Sequence, residues 1–186
     1  MDFISNLILL MCVHLAAAAS PGPDFVYVTQ QSLISGRKAG LFAALGITLG
    51  LSVHISYSLL GLSTMIAESE VTLCAIKLVG GAYLLYLGIK AMGGKKYSAV
   101  IPNKEDLSVS ENLRKAFLCN LLNPKAPLYF IGVFSVVVSS NSSDIEMLIY
   151  AVSLMLVQLS WFSFVALAFS KETIRTRYYR HSQLLN

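Results

Sequence analysis

The sequence is poor in charge. Of its 186 residues, 14 are Lys or Arg and 10 are Asp or Glu, so 13% of the chain is charged. A soluble domain usually carries about 25%. Two stretches carry none: Ala39 to Ala67, with His54 neutral, and Met147 to Ser170. Both exceed the ~20 residues a helix needs to cross a bilayer. Together with a mean hydropathy of +0.66, this excludes an ordinary soluble domain. The chain reads as one compact, all-α, polytopic membrane helix bundle in a lipid bilayer.

Metal, nucleophile and phosphate motifs are also missing. Cys12, Cys74 and Cys119 show no CxxC spacing and read as small apolar residues. A membrane thiol–disulfide carrier is the remote alternative, because Cys12 and Cys119 precede the two helix breaks described below. His14, His54 and His181 lack metal-ligand spacing, and there is no GxSxG or HExxH. Gly88 to Lys96 resembles a phosphate loop but has an extra residue before its lysine and no following Ser or Thr. The chain therefore reads as no enzyme, with no cofactor and no metal. Any transport energy comes from an ion gradient or from the substrate's own gradient. The net charge of +4 sits in loops between apolar runs and marks topology, not affinity for nucleic acid.

What is present is a set of apolar segments, predicted at about 3–34, 41–66, 71–89, 116–138 and 147–169. A polar connection covers about 93–114. The first segment leads into Ala16 to Ser20 like a signal peptide, but it lacks a positive n-region and is expected to be retained. Loop charges alternate: Arg37 and Lys38, then Glu68 and Glu70, then Lys95, Lys96, Lys104, Arg114 and Lys115. Asp144 and Glu146 follow, and then a tail with Lys171, Arg175, Arg177 and Arg180. The positive-inside rule places the N-terminus outside and the connection and tail in the cytoplasm.

Two segments are broken. Ser20-Pro21-Gly22-Pro23-Asp24 interrupts the first, and Asn123-Pro124-Lys125-Ala126-Pro127 interrupts the fourth. Proline removes a backbone donor and disturbs the helical ladder, and Gly22 admits conformations closed to other residues. Each break should leave free carbonyls behind it and a new helix N-terminus ahead, which attracts carboxylates. Broken helices with ionisable residues mark a transporter's binding site at a repeat interface, because exposed backbone and charge persist in hydrocarbon mainly around cavities. Asp24 either holds a substrate ammonium or a coupling proton, or stabilises the first turn of the restarted helix. Lys125 pairs with Asp24 or a substrate carboxylate, or reaches cytoplasmic water. Asn123 adds an amide, and Pro124 ends the ladder.

Spacing points to packing faces. Gly46, Gly50 and His54 share one face of the second segment, and the small-xxx-small pair admits a close neighbour. Lys77, Gly81 and Gly88 form a stripe on the third. His54 serves either an interhelical hydrogen bond or the transport path, and Lys77 either faces the bundle or snorkels to the interface.

The quoted motifs resemble the LysE/RhtB family of bacterial amino-acid exporters. The matching stretches are Ser20 to Phe25, Gly36-Arg37-Lys38-Ala39-Gly40, Leu45 to Gly50, Gly80 to Gly88 and Asn120 to Ala126. Gln30 and the run from Tyr129-Phe130 to Phe134-Ser135 are most similar to the threonine-exporter branch. The resemblance implies efflux of small amino acids such as threonine, homoserine or its lactone across the inner membrane, driven by the proton gradient. It also implies six helices in two inverted halves. The chain stops at Asn186 without a sixth apolar helix. That leads to the expectation of a non-transporting family member, or of a segment-five face, including Gln158, left exposed and covered by self-association or a partner chain.

Overall fold

The computed structural model describes residues 3–68, 74–75, 78–79, 81–82, 85–86, 89, 107–138 and 142–176, with side chains of 62–68 and of residue 128 left aside. The described residues are almost wholly helical. The elements are α1 (Phe3–Ala19), α2 (Pro23–Glu68), α3 (Val109–Leu121), α4 (Lys125–Val137) and α5 (Asp144–Phe169). A further helical turn covers 172–176.

Helix α2 is a hairpin, not a rod. Gly36 interrupts it with φ 84° and ψ −171°, a region that essentially only glycine occupies. A Cβ added at Gly40 would collide with Ser32 Oγ. Eight residues along a straight helix span ~12 Å, so the chain must reverse at Gly36. The loop expected between the first two segments is thus a single residue, with Arg37 and Lys38 exposed beside it. Val28 before the turn packs with Ala43, Ala44 and Ile47 after it. Arg175 closes the turn from the tail. Its Nε donates to the Leu33 carbonyl at 2.9 Å and its Nη2 to that of Ile34 at 3.1 Å. Those carbonyls end the first limb, where a cation is also favoured by the helix dipole.

The fourth segment is two helices, and it begins earlier than the apolar pattern predicted. Ser108 accepts from the Glu111 amide while Glu111 accepts from the Ser108 amide, a capping box that starts α3 at Val109. The polar connection therefore ends before Arg114, and Arg114 and Lys115 lie exposed on α3. Hydrogen bonding to Ser108 holds the Glu111 carboxyl below the usual carboxylate range. A second capping box, Ser143 with Glu146, starts α5 at Asp144 ahead of the expected Met147.

Helix α2 packs on α3, α4 and α5, and α1 packs on α4 and α5. One core cluster gathers Leu10, Leu51, Ile55, Phe130, Phe134, Tyr150 and Leu154; another gathers Val28, Ile47, Ala116, Phe162 and Ala166. Glycine sets the α2–α3 approach. A Cβ at Gly46 would lie 2.5 Å from the Leu113 carbonyl oxygen, and one at Gly50 would lie 2.8 Å from that of Phe117. Asn112 ties the same pair of helices, donating to the Ala39 carbonyl at 2.8 Å and accepting from Tyr27 Oη at 3.0 Å.

The outer surface inverts the soluble pattern. Leu45, Leu49, Val53 and Tyr57 are exposed at four-residue spacing, and so are Ile145, Leu148, Val152 and Leu156 near it on α5. Apolar stripes of this extent suit hydrocarbon, not water. Among the described residues, the limb of α2 after Gly36, within Pro23–Gly61, and Asp144–Phe169 are long and apolar enough to cross a bilayer, and α1 and α4 are shorter apolar helices. Much of the expected third segment, with Lys77 and Gly88, lies outside the described residues. Gly81 is exposed, and among the described residues a Cβ there would meet nothing within 4 Å.

Candidate functional site where the two breaks meet

The two proline breaks lie side by side, although about a hundred residues separate them in sequence. At the first, the Ser20 amide still donates to Ala16, and the next helix opens with Val26 donating to Gly22. Gly22 is therefore the residue before the first turn of α2, and Asp24 stands within that turn. At the second, Asn123 donates through its amide to Asn120, and its own Oδ1 accepts from the Lys125 amide at 3.1 Å. That side-chain bond satisfies one of the donors that the opening turn of α4 leaves unpaired.

Each break supplies the other. Asp24, just past the first proline pair, accepts from Asn120 Nδ2 at 2.7 Å, in the last turn of α3. Lys125, just past the second, donates from Nζ to the Ala17 carbonyl at 2.9 Å, in the last turn of α1. The charge beyond each break thus binds the helix end before the other. Asn123 and the Lys125 charge also lie within reach of the carboxylate. The Cys119 thiol points at Asp24 Oδ1 from 3.9 Å. Cys12, Cys74 and Cys119 are all free.

His54 supports this junction from behind. Its Nε2 lies 3.0 Å from the Asn120 carbonyl oxygen and its Nδ1 2.8 Å from Tyr57 Oη. A carbonyl only accepts, so Nε2 carries the proton and Nδ1 accepts from the tyrosine. The ring is 2% exposed, and its bond to the Asn120 carbonyl ties α2 to the end of α3.

Between the breaks is a cavity of about 50 Å³, lined by Gly22, Asp24, Asn120, Asn123 and Lys125 on one side. That exceeds the ~10–15 Å³ a cavity needs to admit one water and leaves room for part of a small solute. Phe25, Leu51, Phe130 and Phe162 give it apolar walls. Its remaining wall is one that sequence reasoning missed: His14, Tyr129 and Gln158. Gln158, expected on an exposed face, is 3% exposed. The correction follows from packing, because α5 turns that face toward α1 and α2.

These hidden residues are not hydrogen-bonded. Both ring nitrogens of His14, Tyr129 Oη, Gln158 Oε1 and Asn120 Oδ1 are buried without a partner. Gln158 stands beside His14, yet no bond of good geometry joins them. Each orphaned group costs about 1–3 kcal/mol, a cost that water or a polar solute in the cavity offsets. The sequence did carry a hint, since His14 and Gln158 are polar residues inside apolar runs. Their convergence depends on three helices and could not be read from spacing.

A profile of the family described as LysE type translocator matches residues 15–186. The threonine efflux protein of Escherichia coli K12 is 34% identical over 90% of this chain and 84% of its own length. That of Salmonella typhi is 36% identical over the same shares. A membrane protein of Haemophilus influenzae is 30% identical over 95% of this chain and 87% of its own length. No solved structure matches.

Proposed function

Since the chain belongs to the LysE type translocator family of membrane transport proteins, we propose that it exports a small amino acid, with the zwitterion held where the two breaks meet. Amino-acid efflux comes to this chain from its likeness to threonine efflux proteins. The observation that carries the reading is the crossed arrangement of Asp24 and Lys125 around one cavity. A substrate ammonium is served by Asp24 and by the free Asn120 Oδ1. A substrate carboxylate is served by Lys125 and by the N-terminus of α2, where the helix dipole is positive.

The reciprocity of the breaks supports an inverted-repeat architecture, in which each half contributes one broken helix. Opening and closing then amount to parting and rejoining the two pairs, Asp24 with Asn120 and Lys125 with the Ala17 carbonyl. Proton coupling through Asp24, residence in the inner membrane and a cytoplasmic tail complete the proposal. Efflux from cells fed threonine-containing peptides tests it. Cells with the chain should release threonine faster than cells without it, and equal release would reject it.

A further inference from the structure

We propose that His14, Tyr129 and Gln158 form a subsite that reads a hydroxyl on the side chain of the transported amino acid. The inference rests on the exporter reading and adds to it the residues that choose among substrates. His14 comes from α1, Tyr129 from α4 and Gln158 from α5, and each is 3% exposed. The His14 ring lies 5.8 Å from that of Tyr129 and 5.9 Å from that of Phe130. All three side chains leave polar atoms unpaired at the wall that continues from Asp24 and Lys125.

The chemistry of the set selects the ligand group. Gln158 Oε1 only accepts, Tyr129 Oη donates or accepts, and a neutral His14 offers one nitrogen of each kind. An ammonium only donates and a carboxylate only accepts, and both find opposite charges at Lys125 and Asp24. A hydroxyl donates and accepts at once, so it satisfies the mixed wall. An apolar side chain of the same shape would leave every one of these atoms unpaired, which is how polar sites reject isosteres. A purely structural role predicts destabilised mutants, whereas deleting a buried, unpartnered polar atom should cost the fold nothing or stabilise it.

The test compares threonine with valine, which replaces the hydroxyl by a methyl. Purified full chain in proteoliposomes is assayed by counterflow of each amino acid. The parent chain should prefer threonine by roughly tenfold or more. Tyr129→Phe and Gln158→Met should each narrow that preference by roughly three- to tenfold. Threonine counterflow should fall relative to valine counterflow, and the thermal midpoint should hold or rise. An unchanged threonine-to-valine ratio in both variants overturns the subsite while leaving the exporter reading intact. So does a parent chain that carries amino acids without preferring the hydroxyl. A clear loss of thermal midpoint in both variants assigns the residues to packing and also overturns it. If one variant does not accumulate, the other decides. A parent chain that carries no amino acid rejects the exporter reading, and the subsite falls with it.

Discussion

Asp24 and Lys125 each follow directly on a proline, and each reaches across to the helix end before the other break. Both breaks and both charges were legible in the sequence, because proline and an ionisable residue inside an apolar run are local signals. Their partners were not. Asn120 is one of several polar residues on α3 and Ala17 contributes only a carbonyl, so neither is singled out by type or spacing. Lys125→Met keeps the apolar stem and removes the ammonium. It leaves the Ala17 carbonyl without its partner, so the folded chain should lose about 1–3 kcal/mol, measured by denaturation in detergent. Efflux per molecule should fall as well. Unchanged efflux per molecule would make Lys125 a brace between helix ends and nothing more.

Among the elements, α2 departs most from its sequence reading. Hydrophobic runs on either side of Gly36-Arg37-Lys38 predicted two helices and a loop. A single glycine with φ 84° makes the reversal instead, and Arg175 caps it. Arg175 is far away in sequence, so no local pattern announces it. Gly36→Ala should cost about 1–3 kcal/mol, the usual penalty for a side chain in that backbone region, read as a lower thermal midpoint. The starts of α3 and α5 were legible but unread: Ser108 with Glu111 and Ser143 with Glu146 both fit the capping-box pattern. Spacing puts Gly46 and Gly50 on one face, and the helix that lies against that face is α3, which no local pattern identifies. Gly50→Leu must push away the Phe117 carbonyl and Asn120. It should destabilise by about 1–3 kcal/mol or more and separate Asn120 from Asp24, so abundance and efflux fall together. Gly61→Ala, where a Cβ meets nothing within 4 Å among the described residues, should lower neither. A destabilisation at Gly61 matching that at Gly50 would contradict the packing account.

For the whole molecule, composition alone indicated a membrane protein, and the exposed apolar stripes of α2 and α5 agree. Orientation rests on loop charge. Basic residues at 37–38, in the connection and in the tail alternate with acidic residues near 68–70 and 144–146. Reporter fusions after Gly94 and after Tyr178 should both report cytoplasm, and a periplasmic signal at Gly94 would reverse the topology. The central claim is that a small amino acid binds where the two breaks meet, and it turns on the charge of Asp24. Asp24→Asn preserves shape and still allows a hydrogen bond with Asn120, so abundance should stay near normal. The decisive measurement is threonine counterflow into proteoliposomes holding equal amounts of the parent chain and of Asp24→Asn. Counterflow is expected in the parent, with a loss of tenfold or more, on the order of 1.4 kcal/mol of binding or barrier, in the variant. Equal counterflow in both would contradict the claim and leave Asp24 as a first-turn acid that stabilises its helix.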